Sequence, residues 1–185
     1  MEPYSQVKDL LPSGTQISMR RFSGLHAHMV LFLAITNIGD TVLLLPEIVE
    51  DNTSTKSILE RLGLNIYECV VDYENMKIDI EKTKRLIEDA KPKFIFVNSS
   101  EIFNYENFSW LNEYESIYKI YDASQYLLTT KANDCIKPFV MSFNAIISTL
   151  GPRQILFCTK TLDRYWDLFN SNISTYVSKP QIYSV

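Results

Sequence analysis

Residues 16–45 read QISMRRFSGLHAHMVLFLAITNIGDTVLLL, and this stretch decides the fold class. A strand-like run at Gln16–Arg21 precedes a helix-like stretch from Ser23 to Thr36, which opens on a serine suited to capping a helix. Gly39-Asp40 then stops the helix, and a second strand-like run follows at Thr41–Leu45. The order of strand, helix and strand is typical of the units that build a parallel sheet.

The same alternation of short β-branched runs and longer amphipathic stretches continues along the chain. Further strands are predicted at Asn65–Val71, Lys93–Val97, Ile117–Tyr121, Phe139–Phe143 and Gln154–Cys158. Further helices are predicted at Asn52–Leu62 ahead of Gly63, at Asp79–Ala90 ahead of Pro92, at Asn107–Tyr114 and at Thr161–Phe169. Alternation over most of the length predicts one α/β domain with a mostly parallel sheet.

The composition argues against several classes of function. With 185 residues, 46% of them hydrophobic, and a net charge of −4, the chain can form one core but has no basic surface for nucleic acid or membrane. The longest apolar run, Met29–Ile35, is too short to span a bilayer, and the first residues lack a signal-peptide pattern. Three cysteines without C-x-x-C spacing indicate reduced thiols. These features predict a soluble, cytoplasmic protein without a metal site.

Polar residues follow several predicted strands, at the carboxyl ends where parallel α/β sheets bind their ligands. Both histidines, His26 and His28, lie on the first predicted helix. Two positions apart, they face different directions, which argues against a joint metal site and favours a core or interface role. The candidate ligand-binding segments are Ser23-Gly24, Ser99-Ser100, Asp122–Gln125 and Asn144–Gly151.

Several segments, taken in order, resemble motifs in the large domain of serine hydroxymethyltransferase. Residues 22–28, FSGLHAH, are similar to its L-S-G-S-x-A-N, and residues 38–43, IGDTVL, to its P-G-D-T-V-L. MKID at 76–79 and KPKFI at 91–95 are similar to its stretch from I-D-Y to K-P-K-L-I. YDASQ at 121–125 resembles V-D-x-A-H, and STLGPR at 148–153 resembles the T-x-x-G-P-R that follows the cofactor lysine.

This resemblance implies a fold and a way of assembling. The expected fold is the three-layer α/β/α large domain, with a mostly parallel sheet, of the fold-type I transferases that depend on pyridoxal 5'-phosphate (PLP). We expect that domain, truncated, at residues 15–170, between an N-terminal segment (1–14) and a C-terminal tail (171–185). Enzymes of this fold are dimers with sites at the subunit interface. The resemblance therefore implies a homodimer, or a heteromer with a related PLP-fold chain.

The resemblance also implies PLP as cofactor and a set of residues around it. Asp122 would pair with the pyridine nitrogen, and Ser23 and Gly24 would hold the phosphate at a helix N-terminus. Ser100 would lie near the phenolic oxygen, and Gln125 takes the place of a histidine near the cofactor. Helix capping is the alternative role for Asp122 and Ser23, and both roles stay open at this point. Val49 falls near the position of a ring-stacking histidine, and Leu25 replaces a phosphate-binding hydroxyl.

The lysine that binds the cofactor has no counterpart at its expected position. Counting back from Gly151-Pro152, the family's T-H-K-T becomes AIIS at residues 145–148, so that Ile147 replaces the lysine. Isoleucine can neither form a Schiff base nor shuttle protons. Lys131, beyond the Asp122 helix, and Lys160, after a different strand, are not expected at the reactive carbon. Covalent binding of PLP is therefore not expected.

Two functions are compatible with these residues. The first is a degenerate, non-catalytic or accessory protein that associates with itself or with a catalytic relative. The 12% aromatic content, including Trp110 and Trp166, fits an exposed contact surface. The second is an enzyme acting on glycine, serine or a related amino acid, with PLP or pyridoxamine phosphate held non-covalently and missing parts supplied by a second chain. A piece of a larger protein is compatible with either function.

Overall fold

The computed structural model of the protein describes residues 16–21, 23–45, 53–98, 107–124, 142–150, 153–158 and 183–184. Strands and helices alternate through most of these ranges, as predicted. In chain order the elements are β1 (Gln16–Arg21), α1 (Gly24–Ile35), β2 (Thr41–Leu45), α2 (Thr53–Arg61), β3 (Asn65–Glu68), β4 (Val71–Asp72), β5 (Lys77–Ile78), α3 (Ile80–Ala90), β6 (Phe94–Asn98), a 3-10 helix (Phe108–Glu113), β7 (Tyr118–Asp122), β8 (Ala145–Leu150), β9 (Arg153–Cys158) and β10 (Tyr183–Ser184).

One sheet contains all the strands except the hairpin of β4 and β5, and its order is β10-β1-β9-β8-β7-β6-β2-β3. The five strands from β8 to β3 are parallel to one another. Strand β9 is antiparallel to both β8 and β1, so β1 runs in the same direction as the parallel five. The prediction of a mostly parallel sheet is confirmed. The carboxyl ends of β6 and β7 consequently lie side by side at one edge of the sheet.

Helices cover both faces of the sheet, because successive residues of a buried strand point to opposite sides. On β6, Phe94 and Phe96 pack with α1 and α2, whereas Ile95 and Val97 pack with α3 and the 3-10 helix. Strand β8 shows the same alternation, with Ile147 on the α1 side and Ile146 on the other. Two apolar clusters, one on each side of the sheet, confirm the predicted three-layer α/β/α architecture.

Capping residues set the helix boundaries that the sequence predicted. The Ser23 hydroxyl accepts a hydrogen bond from the His26 backbone N–H at 3.1 Å, and α1 begins at the next residue. Asp79 caps α3 in the same way by accepting from the Lys82 N–H at 3.0 Å. The hydrogen bond from the Lys82 side chain also holds the pKa of the Asp79 carboxyl below its usual range. After α2, Gly63 has a positive φ of 76°, a conformation that favours glycine.

The strand after β7 differs from its prediction. Phe143 lies outside the strand, Ser142–Asn144 form a turn and bends, and the observed strand is Ala145–Leu150. Residues 139–141, the rest of the predicted strand, are outside the described ranges. Asn144 explains where β8 begins. Its side-chain oxygen accepts from the Lys119 N–H at 2.9 Å and its own N–H donates to the Lys119 carbonyl at 2.8 Å, which fixes the register of the next residue against β7.

Two other elements were predicted with the wrong extent or type. The predicted strand Asn65–Val71 is divided, because β3 ends at Glu68 and β4 turns away to pair with β5. The predicted helix at Asn107–Tyr114 is a 3-10 helix that begins after a capping Asn107.

The predicted helix Thr161–Phe169 lies outside the described residues, and the domain boundaries at 15 and 170 stay predictions. Within the tail, Tyr183–Ser184 pair with β1.

Membrane insertion by a helix finds no support in the described part of the chain. None of its helices combines the length and the apolar character needed to cross a bilayer.

Replacing Phe96 with alanine tests the apolar cluster beneath α1. The Phe96 side chain is fully buried and meets the Phe32 ring edge-on at a centroid distance of 5.3 Å. We expect Phe96→Ala to lower the free energy of unfolding by about 3–5 kcal/mol, through lost burial and the cavity left behind. Tyr73→Ala is the control, since Tyr73 is 73% exposed, and should change stability by less than about 0.5 kcal/mol. Urea unfolding followed by circular dichroism measures both, and equal losses would contradict this packing.

Candidate functional site

Three residues on adjacent parallel strands form a row beneath α1. Asn98, the last residue of β6, is the register partner of Asp122, the last residue of β7. Asp122 is in turn the register partner of Ile147 on β8. The residues two positions earlier, Phe96 and Ile120, belong to the apolar cluster on the α1 side, so Asn98 and Asp122 face the same side. The two polar residues therefore lie at the carboxyl edge that the fold makes available to ligands.

His28 on α1 is the principal partner of Asp122. Its Nε2 lies 2.7 Å from Asp122 Oδ2, and its Nδ1 lies 3.1 Å from Thr55 Oγ1 on α2. His28 and Asp122 are each only 4% exposed. Because an ionised carboxylate has no proton to give, the imidazole Nε2–H is the donor, and the Nδ1 of a neutral ring then accepts from the Thr55 hydroxyl. Both ring nitrogens are thus bound inside the protein.

The second oxygen of Asp122 is also engaged. Its Oδ1 accepts from the Ser124 backbone N–H at 2.9 Å and from the Ser124 hydroxyl. This is the local capping pattern that an aspartate makes with the residue two positions later. Together with the His28 bond, it places protein donors on both carboxylate oxygens. Residues 125–141, where a helix capped by Asp122 would lie, are outside the described ranges, so the capping role and the role with a cofactor both stay predictions.

Ile147 packs among apolar side chains of the described residues. It is 0% exposed and belongs to the cluster formed with α1. Its carbonyl accepts from the Ala123 N–H at 2.7 Å, and the neighbouring Ser148 hydroxyl donates to the Ala123 carbonyl at 3.4 Å. Strand β8 then continues to Leu150, which pairs with Arg153 of β9. Position 147 therefore lies within a paired strand.

Asn98 holds a buried polar atom that has no hydrogen-bond partner among the described residues. Its side chain is buried, and Oδ1 makes no hydrogen bond to any described residue. An unsatisfied buried acceptor lowers the stability of the fold by about 1–3 kcal/mol, so such atoms are rare in native structures. A ligand or water that donates a hydrogen bond beside Asp122 would satisfy it.

The predicted phosphate-binding residues lie at the start of α1. Ser23 is exposed and its hydroxyl oxygen already serves as the cap of the helix. A Cβ at Gly24 would meet no atom within 4 Å, and the first turn of α1 contains no acidic residue that would repel an anion. Ser23 lies five positions before His28, about 7.5 Å along the helix axis. The structure thus places these residues on the same helix as the partner of Asp122.

The remaining predicted site residues cannot be placed. Ser100, Gln125 and Val49 lie outside the described residues, as do Lys131 and Lys160. Lys137, which is nearer to Ile147 in sequence than either of these lysines, also lies outside them.

Sequence reasoning missed two members of the site. His28 was assigned a core or interface role, and it is buried, but its bond to Asp122 was not foreseen. The available signal was its place in FSGLHAH, where the resembling motif ends in asparagine. Asn98 was also missed, although it is the polar residue that closes the apolar run of β6.

Metal ligation has no basis in the described part of the chain, where no three His, Cys, Asp or Glu side chains come together.

Comparison with known proteins gives a partial match in sequence. No family model matches the chain. The serine hydroxymethyltransferase of Archaeoglobus fulgidus is 27% identical over 118 residues, which is 60% of this chain and 26% of the relative. That of Metallosphaera sedula is 34% identical over 84 residues, which is 44% of this chain and 20% of the relative. This chain is homologous to part of serine hydroxymethyltransferase. It spans about a quarter or less of the length of these curated relatives.

Comparison with solved structures identifies the fold. L-threonine transaldolase from Pseudomonas fluorescens, solved in its internal aldimine state, superposes with a TM-score of 0.81 at 12% identity, over 95% of this chain and 42% of that one. A complex of SepCysS with the N-terminal domain of SepCysE gives a TM-score of 0.66 at 14% identity, over 90% of this chain and 47% of that one. These neighbours confirm the expected fold of the fold-type I PLP-dependent transferases.

Removing Asp122 tests whether the buried pair supports the fold. We expect Asp122→Ala to lower the free energy of unfolding by about 3–5 kcal/mol, because it leaves His28 and Ser124 without their acceptor in a buried place. Glu68→Ala is the matched control, since Glu68 pairs with Lys56 at 2.7 Å on the exposed surface. Its loss should stay below about 1 kcal/mol. Urea denaturation compares the two, and a small loss for Asp122→Ala would show that the pair contributes little.

Proposed function

We propose that the chain is a non-catalytic serine hydroxymethyltransferase-like protein, a pseudoenzyme that acts by association with itself or with a catalytic relative of the same fold. One observation carries the proposal. Ile147, which stands at the predicted lysine position, is a fully buried aliphatic residue in β8, and its register partner Asp122 already binds protein donors with both carboxylate oxygens.

The residues present do not fit covalently bound PLP. Lysine supplies the amine that captures the cofactor aldehyde, and an isoleucine side chain has no group that could replace it. In the bound state PLP supplies an electron sink, which requires a protonated ring nitrogen beside a carboxylate. Here the candidate carboxylate is occupied by His28 and Ser124. Function depends on the site rather than on the fold, so the likeness in fold does not by itself imply catalysis.

The lysine of β7 does not substitute for the missing amine. Lys119 lies on the same strand as Asp122 but three positions earlier, and so on the opposite face of the sheet. Its Nζ donates to the carbonyls of Tyr114 at 2.9 Å and Leu111 at 3.4 Å, at the end of the 3-10 helix. This buried amine stabilises the 3-10 helix and points away from the row that contains Asp122.

Association is supported by exposed apolar side chains on α1. Leu25 and Met29 lie four residues apart, hence on one face of the helix, and are 42% and 38% exposed. The sequence suggested that Trp110 lies on an exposed contact surface. Instead, Trp110 is buried in the apolar cluster on the side of the sheet that the 3-10 helix covers. One of the solved neighbours is itself a complex with another protein. These features favour α1 as a contact surface for a second PLP-fold subunit.

A second candidate function is favoured by Asn98. Its Oδ1, beside Asp122, has no partner in the described part of the chain and suits a ligand with a hydrogen-bond donor. Such a ligand is expected of an enzyme that holds PLP or pyridoxamine phosphate non-covalently and acts on glycine, serine or a related amino acid. Ser23 and Gly24 would then hold the phosphate at the N-terminus of α1.

Borohydride trapping tests whether the chain captures PLP covalently, which the proposed function excludes. We expect the wild-type chain, incubated with PLP and reduced, to show no visible aldimine band and no adduct mapped to one lysine by mass spectrometry. L-threonine transaldolase of Pseudomonas fluorescens, solved as an internal aldimine, is the positive control. Ile147→Lys tests whether the pocket survives, and failure of that variant to bind PLP would end the enzymatic alternative. A specific wild-type adduct would overturn the proposed function.

Light scattering tests association. We expect the purified chain to elute with a mass that is a multiple of 21.5 kDa, or to bind a catalytic serine hydroxymethyltransferase subunit when the two are mixed. Leu25→Glu should weaken that association, because it puts a charge on the apolar face of α1. Tyr73→Glu changes an exposed residue of the β4–β5 hairpin and should leave the association unchanged. A monomer that binds no such subunit would contradict the proposal.

A further inference from the structure

The carboxylate at the end of β7 already has a nitrogen heterocycle as its partner. The His28 imidazole donates to Asp122 Oδ2 at 2.7 Å in a buried contact. A ligand of the pyridine class would need the same kind of interaction, in which a ring N–H meets a carboxylate. The protein therefore supplies from α1 the type of group that would otherwise come from a ligand.

We infer that His28 is a specificity-determining residue: its imidazole occupies the face of Asp122 that a protonated ring nitrogen would bind, and so excludes pyridine-type ligands from this carboxylate. This goes beyond the proposed function, because exclusion by His28 acts on non-covalent binding and does not depend on Ile147. It rests on the proposed function in one respect, because both assume that no lysine of this chain binds the cofactor covalently.

The hydrogen bonds of Asp122 leave little room for a competing donor. An ionised carboxylate offers about four acceptor positions. Two of those on Oδ1 are taken by the N–H and hydroxyl of Ser124, and one on Oδ2 is taken by His28. The residue is 4% exposed, and a ligand ring that bound Oδ2 as His28 does would meet the His28 ring, whose Nε2 already lies 2.7 Å from that oxygen.

The His28 ring is held in place from three directions. Its Nδ1 is bound by Thr55 on α2, its Nε2 by Asp122, and its edge contacts the Phe96 ring at a centroid distance of 4.9 Å and an interplanar angle of 77°. Displacing it would break two buried hydrogen bonds and expose the apolar cluster. An incoming heterocycle must offset both losses, which explains how one side chain can exclude a ligand.

The neighbouring asparagine shows what a ligand would gain once the ring is removed. Asn98, the register partner of Asp122, lies on the same side of the sheet, and its Oδ1 accepts no hydrogen bond from the residues that the structure describes. Shortening His28 to asparagine, the residue of the resembling motif, would empty the ring's volume beside these two acceptors. A ligand with an N–H donor would then find both of them accessible.

Binding of pyridoxamine phosphate tests this inference. This probe has an amine in place of an aldehyde, so it forms no Schiff base with any lysine and reports only non-covalent binding. We expect His28→Asn to bind it at least about tenfold more tightly than wild type by isothermal titration calorimetry, in line with the gain of one hydrogen bond to a charged group. The gain should disappear in the double variant His28→Asn with Asp122→Asn. His26→Asn, the same change at the other histidine of α1, should bind like wild type.

A folded His28→Asn variant with wild-type affinity, or a gain that persists without the Asp122 charge, would overturn the inference. If that variant does not fold, nitrogen NMR of wild-type His28 decides. The inference expects a protected Nε2–H that millimolar pyridoxamine phosphate leaves unshifted, whereas saturable binding with this bond intact, or a displaced Nε2–H, would refute it. A lysine adduct in the borohydride experiment would remove the proposed function but leave these results unaffected, so the two failures are distinguishable.

Discussion

The buried hydrogen bond between His28 and Asp122 connects the first helix to the centre of the sheet, and the rest of the site depends on it. A carboxylate enclosed by protein requires donors that replace water, and here α1, through His28, and the residue after β7, through Ser124, provide them. Thr55 extends the same chain of bonds to α2. The hydrogen bonds of His28 therefore connect α1, α2 and β7.

The proposed non-catalytic function also rests on this arrangement. At the position where the resemblance implies an aspartate beside a cofactor ring, Asp122 binds the imidazole of His28 from the same chain. The position beside it is filled by Ile147, which completes the apolar packing under α1. A shared fold and an aspartate at the matching position do not by themselves imply catalysis, since Asp122 here binds protein donors and Ile147 packs in the core.

Local signals in the sequence were sufficient to predict a mostly parallel sheet, two of its strands and the starts of two helices. Strands β1 and β2 were predicted with their observed bounds, and Ser23 and Asp79 cap the helices as expected. The start of β8 was missed because it is set by Asn144 clamping the backbone of Lys119, a contact across 25 residues. The partnership of His28 and Asp122 spans 94 residues and has no local pattern. Only the folded chain brings such residues together.

The place of β1 in the sheet has a consequence for how the protein folds. This first strand lies between β9 and β10, so its two neighbours are contributed by residues 153–158 and 183–184. Contacts between sequence-distant segments carry a large loop-closure entropy and slow the folding of a chain. During synthesis, β1 leaves the ribosome long before either neighbour exists, and its unpaired backbone groups are then free to pair with other chains. Until both neighbours are made, pairing of β1 with a strand of another molecule is therefore the route by which this topology could aggregate.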